Sequence, residues 1–208
     1  MTALTLYRHP LSGHAHRAEL FLSLLGLNTA LVDVDLANGE HKSEAFLAKN
    51  SFGQVPVLID GGSVIADSNA ILVYLAKTYD DSGRWYPESP SEAAEIQRFL
   101  SVASGQAASG PAAARLVNVF GAALDHERAK TISHQLLAVL ETHLSGRNWL
   151  VGSHATIADV ANYTYIAHAP EGDVSLSAYP HVRAWLKRIE QLSGFVPMQA
   201  TAVGLAAA

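Results

Sequence analysis

A proline stands inside an apolar run of strand-forming residues at Phe52–Leu58, and an acidic residue followed by serine comes shortly after, at Asp67 and Ser68. Proline in a strand interior removes a backbone donor and is normally disfavoured. A cis bond before Pro56 would give a reason to keep it. It would turn the N–H and C=O of Val55 outward, where an extended peptide could pair with them.

Asp67 and Ser68 stand where a helix should begin, because the apolar stripe of Ile71 and Leu75 follows them at helical spacing. A helix N-terminus presents unpaired N–H groups and the positive end of the helix dipole, which suits a carboxylate ligand. Asp67 could equally be an ordinary N-cap, and the two roles are compatible. Together with Val55, this helix start predicts a clamp for a small anionic peptide.

The elements that would position these residues alternate between strand and helix from Leu4 to about Tyr79. Strands are predicted at Leu4–Tyr7 and Val32–Asp35, and a hairpin at Pro56–Ile65, with a helix of 3.6-residue periodicity between the first two. The order β-α-β-(helix)-β-β-α predicts a small mixed sheet covered by helices. This is the order of a thioredoxin-like domain.

The second half of the chain carries only helical periodicity. Residues 80–88 are predicted to be a linker, and capping boxes are predicted at Ser89–Glu92 and Thr156–Asp159. The small residues of Ala107–Ala112 predict a break between helices or a roomy cleft. The fold class is therefore α/β plus all-α, with a thioredoxin-like domain at 1–80 and a helical-bundle domain at 89–208.

Composition excludes several classes of protein. With 49% hydrophobic and 16% charged residues the chain is not disordered, and a net charge of -5 argues against nucleic acid as a partner. No apolar run approaches the roughly 20 residues of a membrane span, and no signal peptide is visible. The absence of cysteine excludes disulfides and thiolate ligands. We expect a cytoplasmic protein without a metal, since the spacing of His14 and His16 suits no metal site.

The motifs at Gly53–Pro56 and Asp67–Ile71 resemble those of the cytosolic glutathione transferases, and the resemblance covers nearly the whole chain. Within that family the chain looks similar to bacterial, theta/beta/delta-like enzymes of the serine type. The resemblance implies a homodimer in which glutathione, as co-substrate, binds the first domain. It also implies that the glutathione thiolate is transferred to small hydrophobic electrophiles.

The resemblance assigns a part of glutathione to each candidate binding residue. Val55, before the cis residue Pro56, would hold the cysteinyl backbone. Ser68 would take the γ-glutamyl carboxylate and Asp67 its ammonium group. Three further residues would lie at the glycyl end: His41, Lys42 and Gln54.

Catalysis would require the glutathione thiol, with a pKa near ~8.5 when free, to ionise near neutral pH. A hydroxyl donor and a helix N-terminus both favour the thiolate. Ser12, two residues after Pro10 in the loop before the first helix, matches the catalytic serine of the resembled enzymes. Tyr7, His9 and His14 are the alternatives, and Ser12 could instead be only the N-cap of that helix.

The electrophile pocket is expected between the Ser12 loop and the first helices of the second domain. Its candidate residues are Leu11, Phe99, Val102, Gln106, Leu116 and Phe120. None of these residues identifies a substrate. Two other functions therefore stay open: a non-catalytic glutathione-binding sensor or scaffold, and a glutathione-dependent isomerase or dehalogenase.

Overall fold

The computed structural model describes residues 4–202, which form two compact units. The first contains residues 4–83 and 193–198, and the second contains residues 84–192 and 199–202. Segment 193–198 returns to the first unit, where His16 Nε2 lies 2.9 Å from the carbonyl oxygen of Val196 and Ser23 Oγ donates to the carbonyl of Gly194 at 2.6 Å. The apolar periodicity of the sequence does not predict that this segment packs on the first unit.

The first unit is built on a four-stranded sheet with the order β2-β1-β3-β4. Its strands are β1 Leu4–Arg8, β2 Thr29–Asp33, β3 Val57–Asp60 and β4 Ser63–Ala66, and its helices are α1 Gly13–Leu24, α2 Glu44–Leu47 and α3 Ser68–Tyr79. Strands β1 and β2 are parallel, and the other pairs are antiparallel. The mixed sheet that the sequence predicts is confirmed.

Strand β2 lies earlier in the chain than the alternation of Val32–Asp35 predicts. It starts at Thr29, which pairs with Leu4. Val34 lies beyond the strand, is buried, and donates its N–H to the carbonyl of Arg8 at 2.8 Å. The strand is at the edge of the sheet and most of its residues are exposed, so their side chains do not show the alternation of a half-buried strand.

The second unit is helical throughout the part that the structure describes. Its helices are α4 Pro90–Ser104, α5 Ala113–Phe120, α6 His126–Leu144, α7 Ile157–Ala167 and α8 Pro180–Glu190. The predicted break is a π-helix at Ala108–Ala112 that contains Pro111. Within residues 4–202 no helix is both long and apolar enough to cross a membrane.

Of the two predicted capping boxes, one forms. Thr156 Oγ1 accepts from the N–H of Ala158, and Asp159 Oδ2 accepts from the N–H of Thr156 at 2.9 Å, at the start of the buried helix α7. The box predicted at Ser89 was wrong. The side chain of Ser89 makes no capping bond, because its Oγ lies 3.1 Å from that of Ser91 instead.

Candidate functional site

A cleft of 870 Å³ lies in the first unit. It brings together, from five separate segments, the following residues: His14, Leu36, His41, Lys42, Lys49–Pro56 and Ala66–Ser68. All seven residues of the predicted peptide clamp and glycyl end are in this set.

The backbone of Val55 is arranged as the clamp requires. The Val55–Pro56 peptide bond is cis. Val55 is half-buried at the cleft wall and Pro56 is buried. Within residues 4–202, no hydrogen bond engages the N–H or the C=O of Val55. Both groups can therefore pair with an extended peptide in the cleft, in the manner of an added strand.

Asp67 is the N-cap of α3, and its backbone φ is +75°. This left-handed region is uncommon for residues other than glycine and is found at functional sites. Asp67 Oδ1 accepts from the N–H groups of Asn69 and Ala70 at 2.9 and 3.0 Å. Cap and ligand roles are compatible here, because both capping bonds use Oδ1 and the exposed Asp67 is part of the cleft wall.

Beneath Ser68 lies Arg17, a residue that the sequence reasoning missed. It is 1% exposed, and its NH1 group donates to Ser68 Oγ and to Asn69 Oδ1, both at 3.0 Å. A buried guanidinium therefore orients the serine hydroxyl and adds positive charge at the N-terminus of α3. The available signal was an arginine next to Ala18, the first residue of the apolar stripe of α1.

His14 also lines the cleft, with its Nδ1 3.5 Å from Ser68 Oγ. Burial, aided by the positive charge of Arg17, lowers the pKa of His14 to about 4, against a smaller opposing effect of Asp67. The imidazole is therefore neutral at physiological pH. It adds no positive charge to the part of the cleft around Ser68.

The other part of the cleft is basic. Lys42 Nζ donates to the carbonyls of Phe52 and Gly53, at 3.3 and 3.1 Å. Gly53 has a φ of +58°, and a Cβ there would lie 2.7 Å from the carbonyl oxygen of His41. The turn therefore requires glycine, and it holds Lys42 at the cleft. Asn50 Nδ2 fixes the same turn through the carbonyl of Gln54 at 2.8 Å.

Ser12 is the N-cap of α1, where its Oγ accepts from the N–H of Ala15 at 3.3 Å. It is half-buried, and it is not part of the cleft wall. Since a hydroxyl accepts and donates at once, the capping bond leaves its O–H free to donate to a ligand. Tyr7 packs against Phe46, and His9 Nδ1 accepts from the N–H of Leu11.

Comparison with known proteins decides the family. Residues 2–77 match the model of the glutathione S-transferase N-terminal domain, and residues 111–193 match that of the C-terminal domain. The chain belongs to the glutathione S-transferase family. It is 35% identical to glutathione S-transferase 3 of Zea mays, over 94% of this chain and 92% of the other.

Solved structures agree with this assignment. A glutathione S-transferase from Pseudomonas fluorescens superposes with a TM-score of 0.89 at 32% identity, covering 96% of this chain and all of the other. A glutathione transferase homologue from Drosophila mojavensis, solved with bound glutathione, gives 0.82 at 29% identity, covering 92% and 89%. The transferase fold, thioredoxin-like domain followed by helical domain, is thereby confirmed.

The candidate electrophile residues of this transferase do not all lie together. Phe99, Val102 and Gln106 line a groove of 250 Å³ between α4 and α6, whose floor includes Leu136 and His143. Leu116 and Phe120 are exposed on α5, at 38% and 47%, and are not part of that groove. Leu11 belongs to the first unit, in the loop before α1.

We expect the stability of this transferase to fall on acidification through His14. The pKa of this group is lowered by folding, so its neutral form contributes stability above pH 6.5 that is lost as the pH falls towards 4. Protonating the ring would cost about 3 kcal/mol. Denaturant unfolding at several pH values should show a smaller loss between pH 6.5 and 4 for His14→Asn than for the wild type. If the free energy of unfolding fell equally with pH in the wild type and in His14→Asn, His14 would not be the group responsible.

Proposed function

We propose that this transferase binds glutathione in the cleft of its first unit and conjugates the thiolate to small hydrophobic electrophiles. One observation carries the proposal: the unbonded backbone of Val55 and the helix start at Ser68 line the same cleft. The Val55 N–H and C=O would pair with the cysteinyl backbone. Ser68 would take the γ-glutamyl carboxylate, and Asp67 would take the ammonium group.

The basic residues support the placement of the third residue. The glycyl carboxylate would meet His41 and Lys42, with Gln54 beside them, since all three line the cleft. A charge-assisted hydrogen bond from a lysine held by two carbonyls is the kind of contact that fixes a carboxylate. The ligand would therefore run from Ser68, past Val55, to Lys42.

In the proposed reaction the bound thiol releases its proton to solvent, and the Ser12 O–H donates to the resulting thiolate. The sulfur attacks an electrophilic carbon, a carbon–sulfur bond forms, and the leaving group departs with the bonding electrons. Ser12 is supported by its position at the N-terminus of α1, where the helix dipole also favours an anion. The exposed apolar side chains of Leu116 and Phe120 support α5 as part of the electrophile site.

Two measurements test the proposed function. Titration calorimetry should detect glutathione binding, and a chloronitrobenzene acceptor should be converted to the S-aryl conjugate of glutathione. Binding without turnover of any acceptor in an electrophile panel would support the sensor or scaffold instead. Turnover restricted to isomerisation or dehalogenation would support that alternative. Failure to bind glutathione would overturn the proposal.

Because glutathione is kept reduced in the cytoplasm, we propose that the protein acts there.

We also propose that the transferase is a homodimer. Phe52, at 79% exposure on the turn before Val55, and Val139, at 66% on α6, are apolar side chains that a monomer would leave in water. Replacing Phe52 by serine should convert a dimer to a monomer, measured as a halving of the mass by light scattering. Leu31→Ser, which alters an apolar residue 45% exposed on β2, is the matched control. A wild-type mass of one chain would contradict the proposal.

A further inference from the structure

Basic side chains of the cleft come from one stretch of the chain, around the end assigned to the third residue of the peptide. His41, Lys42 and Lys49 all line the cleft, and the two lysines flank the short helix α2, in a chain whose net charge is -5. Among residues 4–202, Asp67 is the one carboxylate in the cleft wall, and it lies at the start of α3. The positive charge of this end therefore exceeds what a single glycyl carboxylate would neutralise.

Lys42 and Lys49 are held differently. Lys42 spends two of its three donors on the carbonyls of Phe52 and Gly53. Lys49 Nζ lies over the ring of Tyr7, 5.4 Å from its centroid, and donates to the carbonyl of Ala45 at 2.9 Å, so that two N–H donors are not used in hydrogen bonds to the protein. Within residues 4–202, neither lysine forms an ion pair. Lys49 can therefore bind an anion that Lys42 does not reach.

The same end offers space and a further polar atom. The cleft volume of 870 Å³ lies near the upper end of the range of about 300–1,000 Å³ found for small-molecule sites. His41 Nδ1 is buried and has no hydrogen-bond partner within residues 4–202. A side chain larger than that of glycine therefore has room, and it would find unused hydrogen-bonding groups.

We propose that Lys49 is a specificity residue that lets the cleft accept γ-glutamyl-cysteinyl peptides whose third residue carries a second carboxylate, aspartate or glutamate, as well as glycine. In this arrangement Lys42 takes the terminal carboxylate and Lys49 takes the side-chain carboxylate. The inference rests on the proposed function, because it uses the peptide direction that Val55 and Ser68 imply. It adds a class of thiol substrate to glutathione itself.

The test compares two S-methylated peptides, γ-Glu-Cys-Gly and γ-Glu-Cys-Asp, by titration calorimetry at low ionic strength. S-methylation removes the ionising thiol, so the third residue alone differs. The wild type should bind the aspartate peptide as tightly as the glycine peptide, or within threefold. Lys49→Gln should weaken the aspartate peptide by about fivefold and the glycine peptide by less than about twofold. Added salt should reduce the difference.

Lys187→Gln is the matched control, because it removes the same charge from an exposed position on α8 of the other unit. It should leave both affinities unchanged. Aspartate-peptide binding more than threefold weaker than glycine-peptide binding in the wild type would overturn the inference and leave the proposed function standing. If Lys49→Gln weakened the binding of both peptides equally, the inference would likewise be overturned and the proposed function would stand. If neither peptide bound to the wild type, the proposed function would be overturned, and this inference with it.

Discussion

Replacing Ser12 by alanine should raise the pKa of the bound glutathione thiol by about one to two units, because the thiolate loses a charge-assisted hydrogen bond. Turnover with a reactive acceptor should fall about 10- to 100-fold at neutral pH and recover partly in alkali. Glutathione affinity should change much less, since Val55 and Ser68 hold the peptide. Thiolate absorbance against pH, for the wild type and the variant, is the direct measurement.

The capping bond of Ser12 to the N–H of Ala15 requires a control. Alanine at an N-cap costs about 1 kcal/mol of stability, whereas glycine costs only a few tenths. Ser12→Gly should therefore lose turnover as Ser12→Ala does while remaining nearly as stable as the wild type. Ser12→Thr keeps a hydroxyl and should retain more activity. If the pKa of the bound thiol were unchanged in Ser12→Ala and in Ser12→Gly, Ser12 would have no part in the mechanism. The same assay would then be applied to variants of His9 and Tyr7.

Replacing Asp159 by alanine should destabilise the protein by at least about 3 kcal/mol, because it leaves several buried donors without an acceptor. The carboxylate accepts from the N–H groups of Leu150 and Thr156 and from Trp185 Nε1, each at 2.9 Å. It also accepts from Thr156 Oγ1 at 3.2 Å, and both residues are 1% exposed. Denaturant unfolding monitored by helical circular dichroism would measure the loss.

Asp125→Ala is the comparison for this prediction. Asp125 is the exposed N-cap of α6, and it accepts from the N–H of Arg128. Its loss should cost about 1 kcal/mol, the usual value for an N-cap. If Asp159→Ala cost no more than Asp125→Ala, the buried carboxylate would be an ordinary cap. Its bonds from α7 to Trp185 of α8 and to the turn at Leu150 would then add nothing measurable to stability.

Much of the fold was predictable because its signals are local. The alternation of strand and helix up to Tyr79 and the break at Ala107–Ala112 each depend on neighbours within a few residues. The Thr156–Asp159 box formed for the same reason. The Ser89 box did not, since a second serine two residues on offered a competing partner.

The clamp residues could be predicted because they occupy two short segments whose local conformation depends on their own residues. Val55 precedes a proline inside a strand-like run, and Asp67 and Ser68 start a helix. Lys42 was recognisable beside them only through the family resemblance. The electrophile residues were harder to predict. Apolar side chains on helices identify packed faces, and they do not specify which of those faces share a groove.

The sequence by itself determined the kinds of element, their order, the caps at Ser12, Asp67 and Thr156, and the cis bond between Val55 and Pro56. Only the tertiary structure decided that Arg17 supports Ser68 from 51 positions away, that His14 becomes neutral through burial, and that Lys49 faces the cleft. The physical reason is range. A capping bond or a turn is closed within about four residues, whereas burial and charge depend on segments that meet only when the chain folds.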